Sequence, residues 1–152
     1  MFFCQRKYTL EILDECRLLE AKPFDFPIKE NHKLVMTIGQ ILNDTTRYRR
    51  LEGKLIYLTI TWPELTYAVL ILSQFIQAPK IEHMEAARRV LCYLKGSVGE
   101  GIFLKANNNL QLFGFCDSDW GACPLSRRSL TGYFVTLGFS YILENKEASN
   151  GV

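Results

Sequence analysis

The chain has 152 residues, 48% of them hydrophobic and 22% charged, and a net charge of +2. That balance can build one core of ordinary size and argues against a disordered chain, while so mild a charge does not by itself identify a nucleic-acid partner. No apolar run approaches the roughly 20 residues needed to cross a bilayer, and the longest, Ala68 to Ile76, is broken by Ser73 and Gln74.

The opening Met1-Phe2-Phe3-Cys4-Gln5-Arg6-Lys7 places its charges after the apolar residues, the reverse of a secretory signal, so an intracellular chain without a membrane partner is expected. The cysteines, Cys4, Cys16, Cys92, Cys116 and Cys123, include no C-x-x-C pair, and no histidine stands at metal-ligand spacing. Cys16 and Cys92 fall in helical apolar patterns, which reads as buried free thiols rather than zinc ligands.

Tyr8 to Leu19 carries Leu10, Leu13, Cys16 and Arg17 at helical spacing, with Thr9 as a candidate cap and Glu11, Asp14 and Glu15 turned outward. From Ala21 to Asp44 the breakers Pro23, Pro27 and Gly39 and the lack of periodicity predict an extended connector hugging the surface, the segment most open to motion. A second helix should start at Thr45 or Thr46, either able to cap, and bury Tyr48, Leu51, Leu55 and Leu58. Pro63 suits a first helical position with Thr61 just ahead. Leu65, Ala68, Val69, Leu72 and Ile76 then form a third apolar stripe, which Pro79 stops. A fourth helix is predicted from Ile81 to Lys95 on Met84, Ala87, Leu91 and Leu94, with Gly96 as its C-terminal cap.

After Gly96 the period falls from helical to two. Ile102-Phe103-Leu104 and Leu110 to Cys116 read as strands joined by a turn at Ala106-Asn107-Asn108-Asn109, and Gly132 to Thr136 and Phe139 to Leu143 as two more around Leu137-Gly138. The second half is therefore expected to be a β-meander.

The richest stretch for chemistry is QLFGFCDSDWGACPLSRRSLTGY, residues 111 to 133, where an apolar strand delivers Asp117 to its end and a basic turn with Arg127 and Arg128 leads into the next strand. Asp119, with Trp120-Gly121 behind it, reads as a turn residue or a group supporting Asp117. Arg47, Arg49, Arg50 and Lys54 on the second helix and Arg88, Arg89 and Lys95 on the fourth are candidates to meet phosphates, against the plainer reading of a solvated helix face. His32 and His83 lack a serine or cysteine motif and are assigned surface or capping positions. Gly96, Gly99 and Gly101 do not precede a helix, so they make no phosphate loop.

Residues 111 to 133 resemble the opening of the ribonuclease H domain in the Pol polyprotein of Ty1/copia-type retrotransposons, where C-D-(S/A)-D-W-A-G-C is followed by a basic turn and S-T-x-G-Y. CQRKYTLEIL (4 to 13), YRRLEGKLIYLTIT (48 to 61), YAVLILSQFIQAP (67 to 79) and HMEAARRVLCYLKGS (83 to 97) are similar to the segment that joins reverse transcriptase to ribonuclease H in that family. The resemblance implies an α+β fold: a helical thumb- or connection-like region over 1–97, then a truncated ribonuclease H-like β-meander over 98–152. It makes Asp117 the counterpart of the first catalytic aspartate, a ligand for one of the Mg2+ ions that such chemistry uses in a pair.

The later carboxylates of the family follow its third strand. Tyr141 to Val152 departs from the family's continuation there, so Glu144 and Glu147 are not carried over as ligands, and the polymerase motif Y-V-D-D has no counterpart, since no Asp-Asp pair occurs. The chain is accordingly expected to be inactive alone, to hold no Mg2+ stably unless missing polyprotein segments complete Asp117's site, and to bind RNA/DNA hybrid or duplex weakly. The alternative is a non-catalytic remnant that self-associates through an open sheet edge. Trp62 stands where the family has arginine, Glu52 where it has an apolar residue, and Gly121-Ala122 inverts its order; a buried, unpaired Glu52 would be costly.

Overall fold

The computed structural model describes residues 1–29, 32–105, 111–119, 129–138 and 140–149. The chain divides into two units, Cys4–Gly101 and a second that joins Met1–Phe3 to Ile102–Val152, where the sequence places the boundary between 97 and 98. Among the described residues the first holds four α-helices, α1 (Arg6–Glu15), α2 (Thr45–Leu58), α3 (Thr66–Ser73) and α4 (Ile81–Lys95), and the second holds two small antiparallel sheets. The expected mixed α+β class is what is found.

In the helical unit α2 follows the predicted pattern, burying Tyr48, Leu51, Leu55 and Leu58, and these pack with Leu65, Leu72, Leu91 and Leu94 in one apolar cluster. The Tyr48 hydroxyl donates to the Leu72 carbonyl at 2.8 Å, tying α2 to α3, and the rings of Tyr8 and Tyr57 meet edge to face at 5.2 Å, tying α1 to α2. Glu52 lies on the same buried face, is 0% exposed, and neither of its carboxyl oxygens has a hydrogen-bond partner. Trp62, in the family's arginine position, is also in the core at 1% exposure.

Several expected helix ends are corrected. The cap of α2 is Asp44 rather than a threonine: its side chain accepts from the Arg47 backbone N–H at 3.0 Å, satisfying one of the first-turn donors. Thr9 lies inside α1 and is buried, its hydroxyl donating to the Gln5 carbonyl at 3.1 Å; the buried face is Thr9, Ile12 and Leu13, with Leu10 exposed. The third stripe divides into a 3-10 turn at Pro63–Leu65 and α3, and α3 ends at Ser73, well before Pro79. Ser73 donates its hydroxyl to the Leu70 carbonyl at 2.8 Å, and Phe75 and Ile76 continue as turns, leaving Ile76 half-buried outside the helix. α4 keeps its predicted bounds, and Gly96 caps it with φ −65°, without using its left-handed freedom.

Arg17 does adopt that region, at φ 55°. Its N–H bonds the Asp14 carbonyl and the Leu18 N–H the Leu13 carbonyl, each at 2.8 Å, the paired closure that usually falls to glycine. Arg17→Gly is therefore expected to raise stability by about 1 kcal/mol, the Cβ clash of a left-handed residue being removed, as read by urea unfolding.

The described residues of the connector between α1 and α2 are irregular apart from a 3-10 turn at Leu34–Met36, and the connector is held onto α4. Ile41 bridges to Lys80, Ile81 N–H donates to the Gln40 carbonyl, and Leu42 N–H to Pro79. His83, 2% exposed, caps α4: its Nδ1 accepts from the Lys80 backbone N–H at 3.0 Å, so Nε2 carries the proton and donates to the Leu34 carbonyl at 3.1 Å. Its ring stacks on Phe75 at 3.9 Å. Capping was expected of it; burial was not.

In the second unit β3 (Leu112–Asp119), β4 (Ser129–Leu137) and β5 (Ser140–Ser149) form a meander of order β3-β4-β5, and Gly138, at φ 59°, makes the tight β4–β5 turn. β2 (Ile102–Phe103) does not pair with β3 as expected. It pairs with β1 (Phe2–Phe3), placing Phe2 opposite Phe103, a partner no local pattern announces. The expected turn at 106–109 lies outside the described residues.

Candidate nucleic-acid interface

The predicted basic residues do not form one cluster. Arg47, Arg50 and Lys54, one turn apart on α2, converge with Arg88 of α4 on a depression of about 270 Å³, shared with Glu15, Asp44 and Thr46. Spacings of three and four along α2 put these side chains on one face, next to the buried face that packs on α3 and α4. Lys54 is ion-paired with Glu15, and the Arg88 guanidinium donates to the Cys16 carbonyl at 3.3 Å. Arg47 and Arg50 are exposed. The Glu15 carboxyl is held below the usual carboxylate range chiefly by Lys54, with Arg50 and Arg47 adding to the pull.

Arg49 points the other way, its Nε donating to the Ile76 carbonyl at 3.1 Å. Arg89 and Lys95 are turned to the connector: Arg89 lies 4.2 Å over the Phe24 ring and Lys95 donates to the Ala21 carbonyl at 2.6 Å. Sequence spacing could not separate these from Arg88, because the connector that receives them is far away along the chain.

Asp117 is in β3 opposite Gly132. Asp119 is corrected from a turn residue to the last position of the same strand, opposite Leu130; the strand runs on because β4 pairs with it to that point. Glu144 and Glu147 stand in β5 opposite Phe134 and Thr131. Arg127 and Arg128, with Trp120, Gly121 and Cys123, lie outside the described residues. Among the described residues no three His, Cys, Asp or Glu groups come close enough to hold a metal ion. Cys92 is buried and Cys16 half-buried, and burial pushes both thiols up.

In sequence the chain is 40% and 41% identical to the "Retrovirus-related Pol polyprotein" of the transposons RE1 and RE2 from Arabidopsis thaliana, in each case over 97% of its length. An uncharacterized mitochondrial protein of the same plant is 49% identical over 98 residues, which are 88% of that protein. The chain belongs to the retrotransposon Pol polyprotein family. It spans only 10% of the RE1 and RE2 polyproteins. No protein-family model and no solved structure matches it. The depression on α2 and α4 carries two exposed guanidinium groups, Arg47 and Arg50.

Proposed function

We propose that this Pol segment is of the Ty1/copia type, with a thumb- or connection-like helical unit and the opening strands of a ribonuclease H-like sheet, and that it grips the backbone of an RNA/DNA hybrid without cutting it. The observation that carries the reading is the convergence of Arg47, Arg50, Lys54 and Arg88 from two helices on one depression. Phosphate contacts by such a cluster position a duplex without reading its sequence, and they release counterions, so the grip is weak and salt-sensitive. Asp117 is a vestige of the first metal carboxylate in this reading, inert alone.

The test is a titration of the chain with a fluorescent hybrid across salt, with and without Mg2+, with cleavage followed in the same tube. Binding that falls steeply with salt and no cleavage is expected. Arg47→Glu with Arg50→Glu should lower affinity by at least about tenfold at low salt, and Glu15→Gln, which frees Lys54, should raise it. Cleavage abolished by Asp117→Asn would overturn the inert reading.

A second reading, self-association, is supported by β3: its outer edge is unpaired among the described residues, and Leu112, Phe113 and Phe115 are 68%, 45% and 60% exposed. Sedimentation of the same sample separates the two: a concentration-dependent dimer with no hybrid binding favours the sheet edge.

A further inference from the structure

The helical unit carries an unpaired backbone edge of its own. The connector meets the start of α4 through one antiparallel bridge, Ile41 opposite Lys80, made by the Leu42 N–H on the Pro79 carbonyl and the Ile81 N–H on the Gln40 carbonyl. Because the bonds come from the residues on either side of it, Ile41 stands in a pair of the non-hydrogen-bonded kind, and its own N–H and C=O point to the opposite edge. Neither has a hydrogen-bond partner among the described residues. An edge of that kind is completed by an added strand, whose main-chain bonds supply affinity while side-chain pockets supply selectivity.

Such a pocket lies beside it. Ile41, Leu42, Ile81 and Met84 wall a depression of about 280 Å³. That is below the usual range of small-molecule sites and suits a side chain instead. The apolar surface here is open: Ile41 is 58% exposed, Ile81 43%, and Ile38, three residues back along the connector, 98%. Apolar surface grouped in this way marks a contact with another protein.

Charge decides what kind of segment fits. The ionic groups that line the depression are Asp44 and Arg47. The Asp44 carboxyl is occupied as the α2 cap, and the Lys80 ammonium at the bridge is bonded to the Thr37 carbonyl. The exposed Arg47 guanidinium donates to no group among the described residues, which leaves its fork for a carboxylate.

We propose that this edge docks an extended segment of a protein partner, its backbone paired with Ile41, an apolar side chain in the depression and an acidic side chain on Arg47. Residues two apart share a face of a strand, so the recognised pattern is apolar-x-acidic. Arg47 also borders the α2 depression, but the proposal does not rest on hybrid binding there.

The test is fluorescence anisotropy, with the whole chain titrated into the labelled hexapeptide TVTLTD, into TVTLTK, and into TVTLTD with an N-methyl group on its leucine. TVTLTD should bind at least about tenfold more tightly than TVTLTK, and the N-methyl peptide, which cannot donate to the Ile41 carbonyl, should bind as weakly as TVTLTK. Arg47→Glu, on an exposed side chain, should reverse the preference in favour of TVTLTK. Ile81→Ser, which removes one wall, should weaken TVTLTD by at least about fivefold while the circular dichroism spectrum keeps its helix and hybrid binding stays at the wild-type level. Equal affinity for the acidic and lysine peptides, indifference to the N-methyl group, or no binding overturns the proposal. Two further results overturn it in favour of another occupant: a dimer in sedimentation that Ile81→Ser dissolves gives the edge to a second copy, and hybrid binding lost in Ile81→Ser gives it to nucleic acid. Peptide binding in a chain that shows no affinity for hybrid would sink the hybrid reading and leave this one standing.

Discussion

Replacing Glu52 by leucine is expected to stabilise the chain by about 3 kcal/mol at neutral pH and to remove most of its alkaline sensitivity. Burial pushes the Glu52 carboxyl up to about 8, from 4.5 in the unfolded chain. The folded state therefore holds this proton more tightly, so the stability it contributes is full below pH ~4.5 and declines as pH rises to about 8. At about 1.4 kcal/mol per unit of pKa the loss reaches roughly 3 kcal/mol at pH 7 and somewhat more at pH 8. Tyr48, one turn away, is also pushed up, by burial first and by Glu52 second, and so stays neutral over this window. Glu52→Gln should flatten the same slope and stabilise less, since an amide there still lacks partners. Urea unfolding at pH 5, 7 and 8.5 checks this; a wild-type chain with no slope between pH 5 and 8 would mean that Glu52 finds a partner or solvent.

His83→Ala should cost about 3 kcal/mol, because one ring caps α4, bonds the connector at Leu34 and stacks on Phe75. Burial, aided by Lys80, holds the His83 pKa below 6.5 despite the Leu34 bond and Glu82 pulling the other way. A depressed folded pKa means that the unfolded chain takes up the proton first, so this contribution is full above pH ~6.5 and is lost as pH falls through the folded value. His32 is lowered by burial in the same sense. These slopes oppose that of Glu52, so the acid limb should emerge in Glu52→Leu and shrink when His83→Ala is added. Thermal unfolding of the single and double variants from pH 4.5 to 7.5 reads it; an acid limb unchanged by His83→Ala would place its origin elsewhere.

Local patterns and tertiary partners account for different parts of this molecule. The apolar spacing of Tyr48, Leu51, Leu55 and Leu58 and the bounds of α4 follow from a period that one helix can express by itself. The sharp change to period two after Gly96 likewise announces the meander of β3, β4 and β5. Membership of the Pol polyprotein family was carried by short motifs in order, from CQRKYTLEIL to the strand around Asp117. Those features were legible because each rests on neighbours within a few residues.

What needed the folded chain is whatever a distant segment supplies. β2 takes β1 as its partner although about a hundred residues separate them, since two-residue strands carry no register signal. The α2 cap is an exception, local yet missed: the Asp44 carboxyl reaches the Arg47 N–H, a choice that adjacent threonines obscured. The basic residues of α4 look alike in sequence; the connector decides that Arg89 and Lys95 turn to it while Arg88 joins the α2 group. Periodicity thus determined most of the elements and apolar faces and the ordered motifs the family, whereas tertiary packing decided the burial of Glu52 and His83 and where each cation ends, because burial and charge pairing depend on what the rest of the chain brings alongside.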